Sequence, residues 1–332
     1  MSTKIEVSAG IVYDREGRIL ICQRGEGRNN AHLWEFPGGK LEKGESPEAC
    51  LIRELQEELS LPVTVRGIRC TGEAQGILFH FIEADTDAQP VPTEHEAVAF
   101  VRPRELLRYP FCPADTLVAW QLAFAGVRHA FWDFDGTLLD SYPAMVRAFT
   151  AAAADFGIGV TQERALSLMK ENLRYCCDVI GGENGVASDE LIAAFRRHEQ
   201  DELKQGWPPV EGIPEALKAL HDRGVKHYVA THRDLQCREL LEMANLAQYF
   251  AGYVTSEDKL PRKPAPDMLL HLMGKYGLDP AQCVMIGDRP LDTEAGLNAG
   301  ILSVLLDLEG RFPEGKCDLR IPEAAWLSRL IP

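Results

Sequence analysis

Beyond residue 205 the chain alternates helix-period and strand-like segments so regularly that few folds accommodate it. Helical patterns at 213–224, 234–245, 266–277 and 291–299 are interleaved with short apolar runs at 225–231, 282–287 and 301–305. Strands separated by helices cannot close as hairpins, so they align in parallel with helices packed on their faces. The run "HAFW" ahead of "DFDGT" supplies another strand, and from 140 to about 205 the chain is helix-like and alanine-rich.

The first 125 residues follow a different plan. Residues 4–13 and 18–24 read as strands around the polar turn "DREGR", and 62–70 and 76–84 as two more. Between them "HLWEFPGGKLEKGESPEAC" carries a proline and glycines that break regular structure. Ser46-Pro47 then starts a helix, with serine at the N-cap, proline at N1 and Glu48 in the first turn. A helix at about 113–124 closes the segment, and Gly126 is the break before the next strand. A chain of 332 residues suits two domains, placed here at 1–125 and 127–332.

Composition narrows the function. The net charge of −15 is spread along the chain, and neither part has the basic excess a nucleic-acid backbone requires. No apolar run approaches the ~20 residues that span a bilayer, and the N-terminus lacks the layout of a signal peptide. Nine cysteines, an odd total without CxxC, fit reduced thiols and a cytoplasmic location. The adjacent Cys176 and Cys177 read as core residues. An acidic protein that handles anionic phosphates needs metal ions as intermediaries.

Two acidic clusters carry the chemistry. In the 47–59 helix Leu51, Ile52, Leu55 and Leu59 share one arc, and Glu54, Glu57 and Glu58 the adjacent one, with Arg53 at its edge. Like charges at i, i+3 and i+4 destabilise a helix slightly, whereas hard oxygen ligands on one face suit Mg²⁺. Gly39 is followed after five residues by Glu45, after seven more by Arg53-Glu54, then by Leu55, Glu57-Glu58 and Leu61. This spaced pattern resembles the signature of the Nudix hydrolases, with Ser60 where the family carries glycine. "AGIVYDREGRILICQR" extends the likeness to the MutT-type branch, which cleaves nucleoside triphosphates to monophosphate and pyrophosphate. The resemblance implies an α/β/α sandwich in which Glu54, Glu57, Glu58 and the Gly39 carbonyl hold Mg²⁺, with Mn²⁺ as the alternative. By the same likeness Glu54 takes part in catalysis and Arg53 orients the glutamates. Arg24, Glu35 and Phe36 match positions near the bound nucleotide, and Glu94 or Glu96 offers a further carboxylate. Asp115 stands where the 8-oxoguanine-specific relatives carry asparagine; an ionised aspartate only accepts hydrogen bonds. The tail around it also resembles relatives acting on cytidine nucleotides, so an oxidised guanine nucleotide leads narrowly.

The second cluster begins at "FWDFDGT", where Asp133 ends a hydrophobic strand and Asp135 follows. "YVATHRD" ends another strand at Thr231, "RKPAPD" supplies Lys263, and "VMIGDRPLD" adds Asp288 and Asp292. In a parallel sheet all of these lie at strand carboxyl ends, where loops converge. The ordered set resembles the haloacid dehalogenase superfamily over residues 127–308, which implies a Rossmann-like core and a cap at about 141–205. Asp133 is then the nucleophile, and Thr231 and Lys263 bind the phosphoryl group. Asp135 is the acid and base, and its presence favours phosphate-ester hydrolysis over dehalogenation. Asp133, Asp288 and the Asp135 carbonyl would hold Mg²⁺, Asp292 would orient its neighbours, and His232 lies where it can meet substrate.

The leading expectation is a bifunctional hydrolase acting in series, because the first product is a phosphomonoester, the substrate class of the second site. The alternatives are two activities on unrelated substrates, such as phosphoglycolate or a sugar phosphate for the second, or a nucleotide sensor regulating the phosphatase. Oligomeric state leaves no trace in the sequence.

Overall fold

A computed structural model describes residues 5–331. The chain forms two compact units, one of residues 1–126 with 329–332 and one of residues 127–328.

The first unit is built on a mixed seven-stranded sheet. Its strands are β1 (Ile5–Tyr13), β2 (Ile19–Gln23), β3 (Trp34–Glu35), β4 (Gly38–Lys40), β5 (Thr64–Ala74), β6 (Ile77–Asp85) and β7 (Ala97–Val101). The order is β3-β2-β1-β6-β5, with β4 paired to β1 and β7 to β2. Only β1 and β6 run parallel, in continuous register from Ile5 opposite Ile77 to Tyr13 opposite Asp85. Helix α1 (Pro47–Leu59) begins as its sequence dictates: Ser46 accepts a hydrogen bond from the Ala49 N–H at 3.2 Å. It buries Leu51, Leu55 and Leu59 against Val12, Leu20 and Ile82, and packs against β4. Helix α2 (Pro113–Phe124) lies on the other apolar cluster of the sheet, where Val118, Ala119 and Leu122 meet Ile11, Phe36 and Phe81.

The second unit holds a six-stranded sheet in which every pair is parallel. Its strands are β8 (His129–Trp132), β9 (Lys226–Ala230), β10 (Phe250–Val254), β11 (Cys283–Gly287), β12 (Leu302–Leu306) and β13 (Leu319–Ile321), in the order β10-β9-β8-β11-β12-β13. Strands β11 and β12 are buried at every position, as a sheet covered on both faces requires. Helices α3 (Tyr142–Ala154), α4 (Gln162–Met169), α5 (Leu173–Asn184) and α6 (Ser188–Leu203) form the insert between β8 and the rest. The insert has its own core, in which Phe149, Met169, Ile180 and Phe195 surround the buried Cys176 and Cys177. Helices α7 (Ile213–Asp222), α8 (Gln236–Met243), α9 (Asp267–Tyr276) and α10 (Pro290–Asn298) alternate with the strands. Among the described residues no helix is long and apolar enough to cross a membrane.

Candidate active sites

In the first unit Arg53 organises the acidic arc. Its Nε and Nη2 donate to the two carboxylate oxygens of Glu45 at 3.0 Å each, Nη1 reaches Glu54 at 2.8 Å and Glu57 at 3.2 Å, and Nη2 also meets the Lys40 carbonyl at 3.2 Å. This fork pulls Glu45 down to about 2. Glu54 lies directly on the backbone of Gly39: a β-carbon there would collide with its carboxylate, which accounts for glycine at that position. Ser60, in place of the family's glycine, keeps the turn by adopting the left-handed conformation at φ 48°.

Glu58 has no arginine of its own. Burial pushes its carboxyl up to about 7. The imidazole of His95, its side chain 3% exposed, stands between Glu58 and Glu35, with Nε2 3.8 Å from one and 3.7 Å from the other. Its Nδ1 has no hydrogen-bond partner. Glu94 pairs with Arg28 and Glu96 with His32, so the residue of "PTEHEAV" that approaches both carboxylates is the histidine between them. A lone histidine at no metal-ligand spacing gives no sequence signal for this. Arg24 is ion-paired to Glu35, and Phe36 lies in the core with its N–H donating to Asp115 Oδ1 at 3.2 Å. Glu54 borders Gly39 and Glu58 is a buried carboxylate without an arginine, both suited to a divalent cation, but the three glutamates are not drawn into one close ligand group in this structure.

Asp115 corrects an expectation. Taken as ionised, it could only accept; the structure buries it to 5% exposure in the first turn of α2, and burial raises it to about 8. At neutral pH it keeps its proton and, like asparagine, both donates and accepts.

In the second unit the chemistry gathers at the carboxyl ends of β8, β9 and β11. Asp133, Asp288 and Asp292 place ligand oxygens within 4.8 Å of one another, the one such group of three among the described residues. Lys263 Nζ sits 2.5 Å from Asp133 Oδ1, 2.5 Å from Asp292 Oδ1 and 2.9 Å from the Ala230 carbonyl. Burial raises Asp133, but Lys263 and Arg289 outweigh it and keep the carboxylate ionised. At Asp288 burial outweighs the nearby Arg289 and pushes the carboxyl up to about 7. Asp133 Oδ2 is buried without a hydrogen-bond partner, and Arg289 stands 3.9 Å away. That free oxygen beside a buried carboxyl raised despite Arg289 fits a divalent cation, held by Asp133 and Asp288.

Thr231, at the end of β9, accepts from the Arg233 N–H at 3.1 Å. His232 Nε2 accepts from the Lys263 N–H at 2.9 Å, and burial lowers it to about 3, so the ring is neutral. Asp135 is held by Arg233, whose Nε lies 2.9 and 3.0 Å from its two oxygens. The same guanidinium reaches Glu199 of α6 at 3.0 Å and lies over the Trp207 ring at 4.5 Å. No spacing rule pairs Arg233 with a residue 98 positions away, and the sequence did not reveal it. A cavity of about 620 Å³ opens over this site. Asp135, His232, Arg233 and Lys263 line it from the core, and Met145, Met169, Leu173 and Phe195 from the insert.

Known proteins divide the chain in the same way. The NUDIX domain matches residues 4–120 and the haloacid dehalogenase-like hydrolase family residues 130–306. A CTP pyrophosphohydrolase of Escherichia coli is 40% identical over 116 residues, covering 33% of this chain and 85% of its own. An 8-oxo-dGTP diphosphatase of Proteus vulgaris is 37% identical over 97 residues, 29% of this chain and 73% of its own. A phosphoglycolate phosphatase of Aliivibrio fischeri is 28% identical over 193 residues, 55% of this chain and 85% of its own. A crystal structure titled as a predicted phosphoglycolate phosphatase from Haemophilus somnus aligns at TM-score 0.56 and 21% identity, over 62% of this chain and 99% of its own, a likeness of fold.

Proposed function

We propose, for a chain that belongs to both the NUDIX and the haloacid dehalogenase-like hydrolase families, that its pyrophosphohydrolase and phosphatase domains act in series on one nucleotide. The first site cleaves a nucleoside triphosphate to monophosphate and pyrophosphate. The second removes the remaining phosphate and leaves a nucleoside.

At the first site Glu54, Glu57, Glu58 and the Gly39 carbonyl would hold Mg²⁺ or Mn²⁺, and Arg53 fixes Glu54 and Glu57, which it already binds. The bound ion would neutralise the phosphate chain and acidify water. Arg24, Glu35, Phe36 and Asp115 surround the nucleoside. A protonated Asp115 presents one donor and one acceptor, and an adjacent donor and acceptor occur on the edges of both cytosine and 8-oxoguanine. An oxidised guanine nucleotide and CTP are therefore the two substrates to compare first.

At the second site Asp133 attacks phosphorus. It needs no base, because Lys263 keeps it ionised. A divalent cation at Asp133, Asp288 and the Asp135 carbonyl would screen the incoming phosphate. Thr231 and Lys263 bind the phosphoryl oxygens. Asp135 would take up a proton from solvent when Arg233 releases it, pass that proton to the leaving oxygen, and then take one from the water that opens the aspartyl-phosphate. Both its oxygens are occupied by Arg233 here, so the guanidinium must yield during the cycle.

The observation that supports the serial reading is the 620 Å³ cleft, open to solvent and largely polar, in which Arg196 and Glu199 of the insert stand beside Met145, Met169, Leu173 and Phe195. That volume admits a ligand the size of a nucleotide. The relative named a phosphoglycolate phosphatase supports a second reading, in which Arg233 receives a substrate carboxylate. Product analysis separates them. The parent chain should turn a triphosphate into nucleoside, pyrophosphate and phosphate. Asp133→Asn should stop at the monophosphate, and Glu57→Gln should leave the triphosphate intact. Release of pyrophosphate without attack on any monophosphate, together with turnover of phosphoglycolate, overturns the serial reading.

A further inference from the structure

Both oxygens of Asp288 are held by hydroxyls. Thr137 Oγ1 donates to Oδ1 at 3.2 Å, and Tyr142 OH donates to Oδ2 at 3.1 Å. Thr137 belongs to the "DGT" turn, but Tyr142 lies outside every motif read above. It is the first residue of α3 and hence of the helical insert, and it is 7% exposed. Its approach is built into the backbone. Gly136 has φ +77°, and a β-carbon there would collide with the Tyr142 ring and lie 2.6 Å from Asp288 Oδ2. The other side of the ring meets the insert again: Lys170, the C-cap of α4, lies 5.1 Å from its centroid and is ion-paired to Glu309 at 3.0 Å. The phenol is thus clamped between a glycine turn and a cation, with its one hydrogen-bond donor spent on a carboxylate of the acidic group.

We propose that Tyr142 is a positioning residue that fixes the Asp288 carboxylate for the divalent cation, so that the seat of the insert sets the affinity of the phosphatase site for its metal. The inference rests on the reading of Asp133 and Asp288 as ligands, given above. A carboxylate anchored through both oxygens keeps one lone-pair direction on each for an ion and loses little freedom when the ion arrives. Partners of this kind typically change metal affinity 10–100-fold when removed. Tyr142→Phe keeps the ring, its packing on Gly136 and the contact with Lys170, and deletes only the donor.

The test measures the ion itself. Mn²⁺ is titrated by electron paramagnetic resonance into the full chain carrying Glu54→Gln and Glu57→Gln, which silence the first cluster. Adding Tyr142→Phe should weaken the remaining site about 10-fold. Adding Asp288→Asn should abolish it, which identifies the site being read. In the chain with its first cluster intact, Tyr142→Phe should raise the Mg²⁺ concentration for half-maximal phosphomonoester hydrolysis about 10-fold, while kcat at saturating Mg²⁺ falls much less. Lys170→Met, which loosens the ring from behind, should move the Mn²⁺ affinity in the same direction and by less. Unchanged Mn²⁺ affinity in Tyr142→Phe, or a loss confined to kcat, overturns the proposal. Absence of phosphomonoesterase activity in the parent chain would instead sink the functional reading, and the Mn²⁺ titration would still decide the role of Tyr142.

Discussion

Burial dominates the surroundings of Asp115: the Phe36 N–H and the nearby Arg24 favour its charge but do not offset desolvation and the like charge of Glu35. Burial raises it to about 8, so the donor is present below that pH and lost above it. With CTP as substrate, KM should be flat from pH 6.5 to about 7.5 and then climb towards ~10-fold per pH unit as the carboxylate forms. Asp115→Asn should remove the climb and preserve the low-pH KM; an identical climb in the variant would place the titration elsewhere. Lys263 is the opposite case, a buried cation whose charge two aspartates share at 2.5 Å. Lys263→Met leaves those aspartates uncompensated, and loss of one partner from a buried pair costs about 3–5 kcal/mol. Denaturant unfolding of the second unit should show that loss, with no phosphatase activity and with triphosphate cleavage retained. These residues differ in how far the sequence exposes them. Lys263 lies in a spaced motif, whereas the protonation of Asp115 follows from surroundings assembled by β3, β4 and α2, which no local pattern encodes.

Elements were legible where the chain signals its own ends. Ser46-Pro47 fixes the start of α1 and the expected 113–124 helix coincides with α2, because proline at N1 and a capping serine are local chemistry. The two- and three-residue strands β3 and β4 were missed, as were β7, β10 and β13. Each of the last three is five residues or fewer, and each is set by pairing with a distant neighbour: β7 with β2, β10 with β9 and β13 with β12. The same reason hides His95, which sits at the rim of β7. At the far end of α1, Ser60 holds a φ of 48° while its N–H bonds to the Gln56 carbonyl at 3.1 Å and the Leu61 N–H to the Leu55 carbonyl at 3.1 Å. The turn is therefore a glycine-type helix stop made by serine. A left-handed conformation costs a residue with a side chain roughly 1–2 kcal/mol, so Ser60→Gly should stabilise the first unit by about 1 kcal/mol. Ser46→Ala, which deletes the N-cap, should cost about 1 kcal/mol. Heat inactivation of triphosphate cleavage reads both; equal midpoints for the two variants would mean that neither terminus limits the stability of α1.

At the scale of the whole molecule the net charge of −15 turns two local clusters into one thermodynamic property. Glu58 and Asp288 are each raised to about 7 because burial outweighs the nearby His95 and Arg289, so each is a carboxyl that the fold keeps at the edge of ionisation. A divalent cation that binds the folded chain and not the unfolded one adds RT ln(1 + [ion]/Kd), about 2.7 kcal/mol at a hundredfold excess over Kd. Monovalent salt only screens, and does so weakly for buried groups. Mg²⁺ should therefore raise the unfolding midpoint well beyond NaCl of equal ionic strength, and a chelator should lower it and stop both hydrolyses. Glu57→Gln should remove the part of the shift that follows triphosphate cleavage, and Asp288→Asn the part that follows phosphomonoester hydrolysis. If NaCl reproduces the effect of Mg²⁺, the clusters are screened surfaces and neither is a metal site.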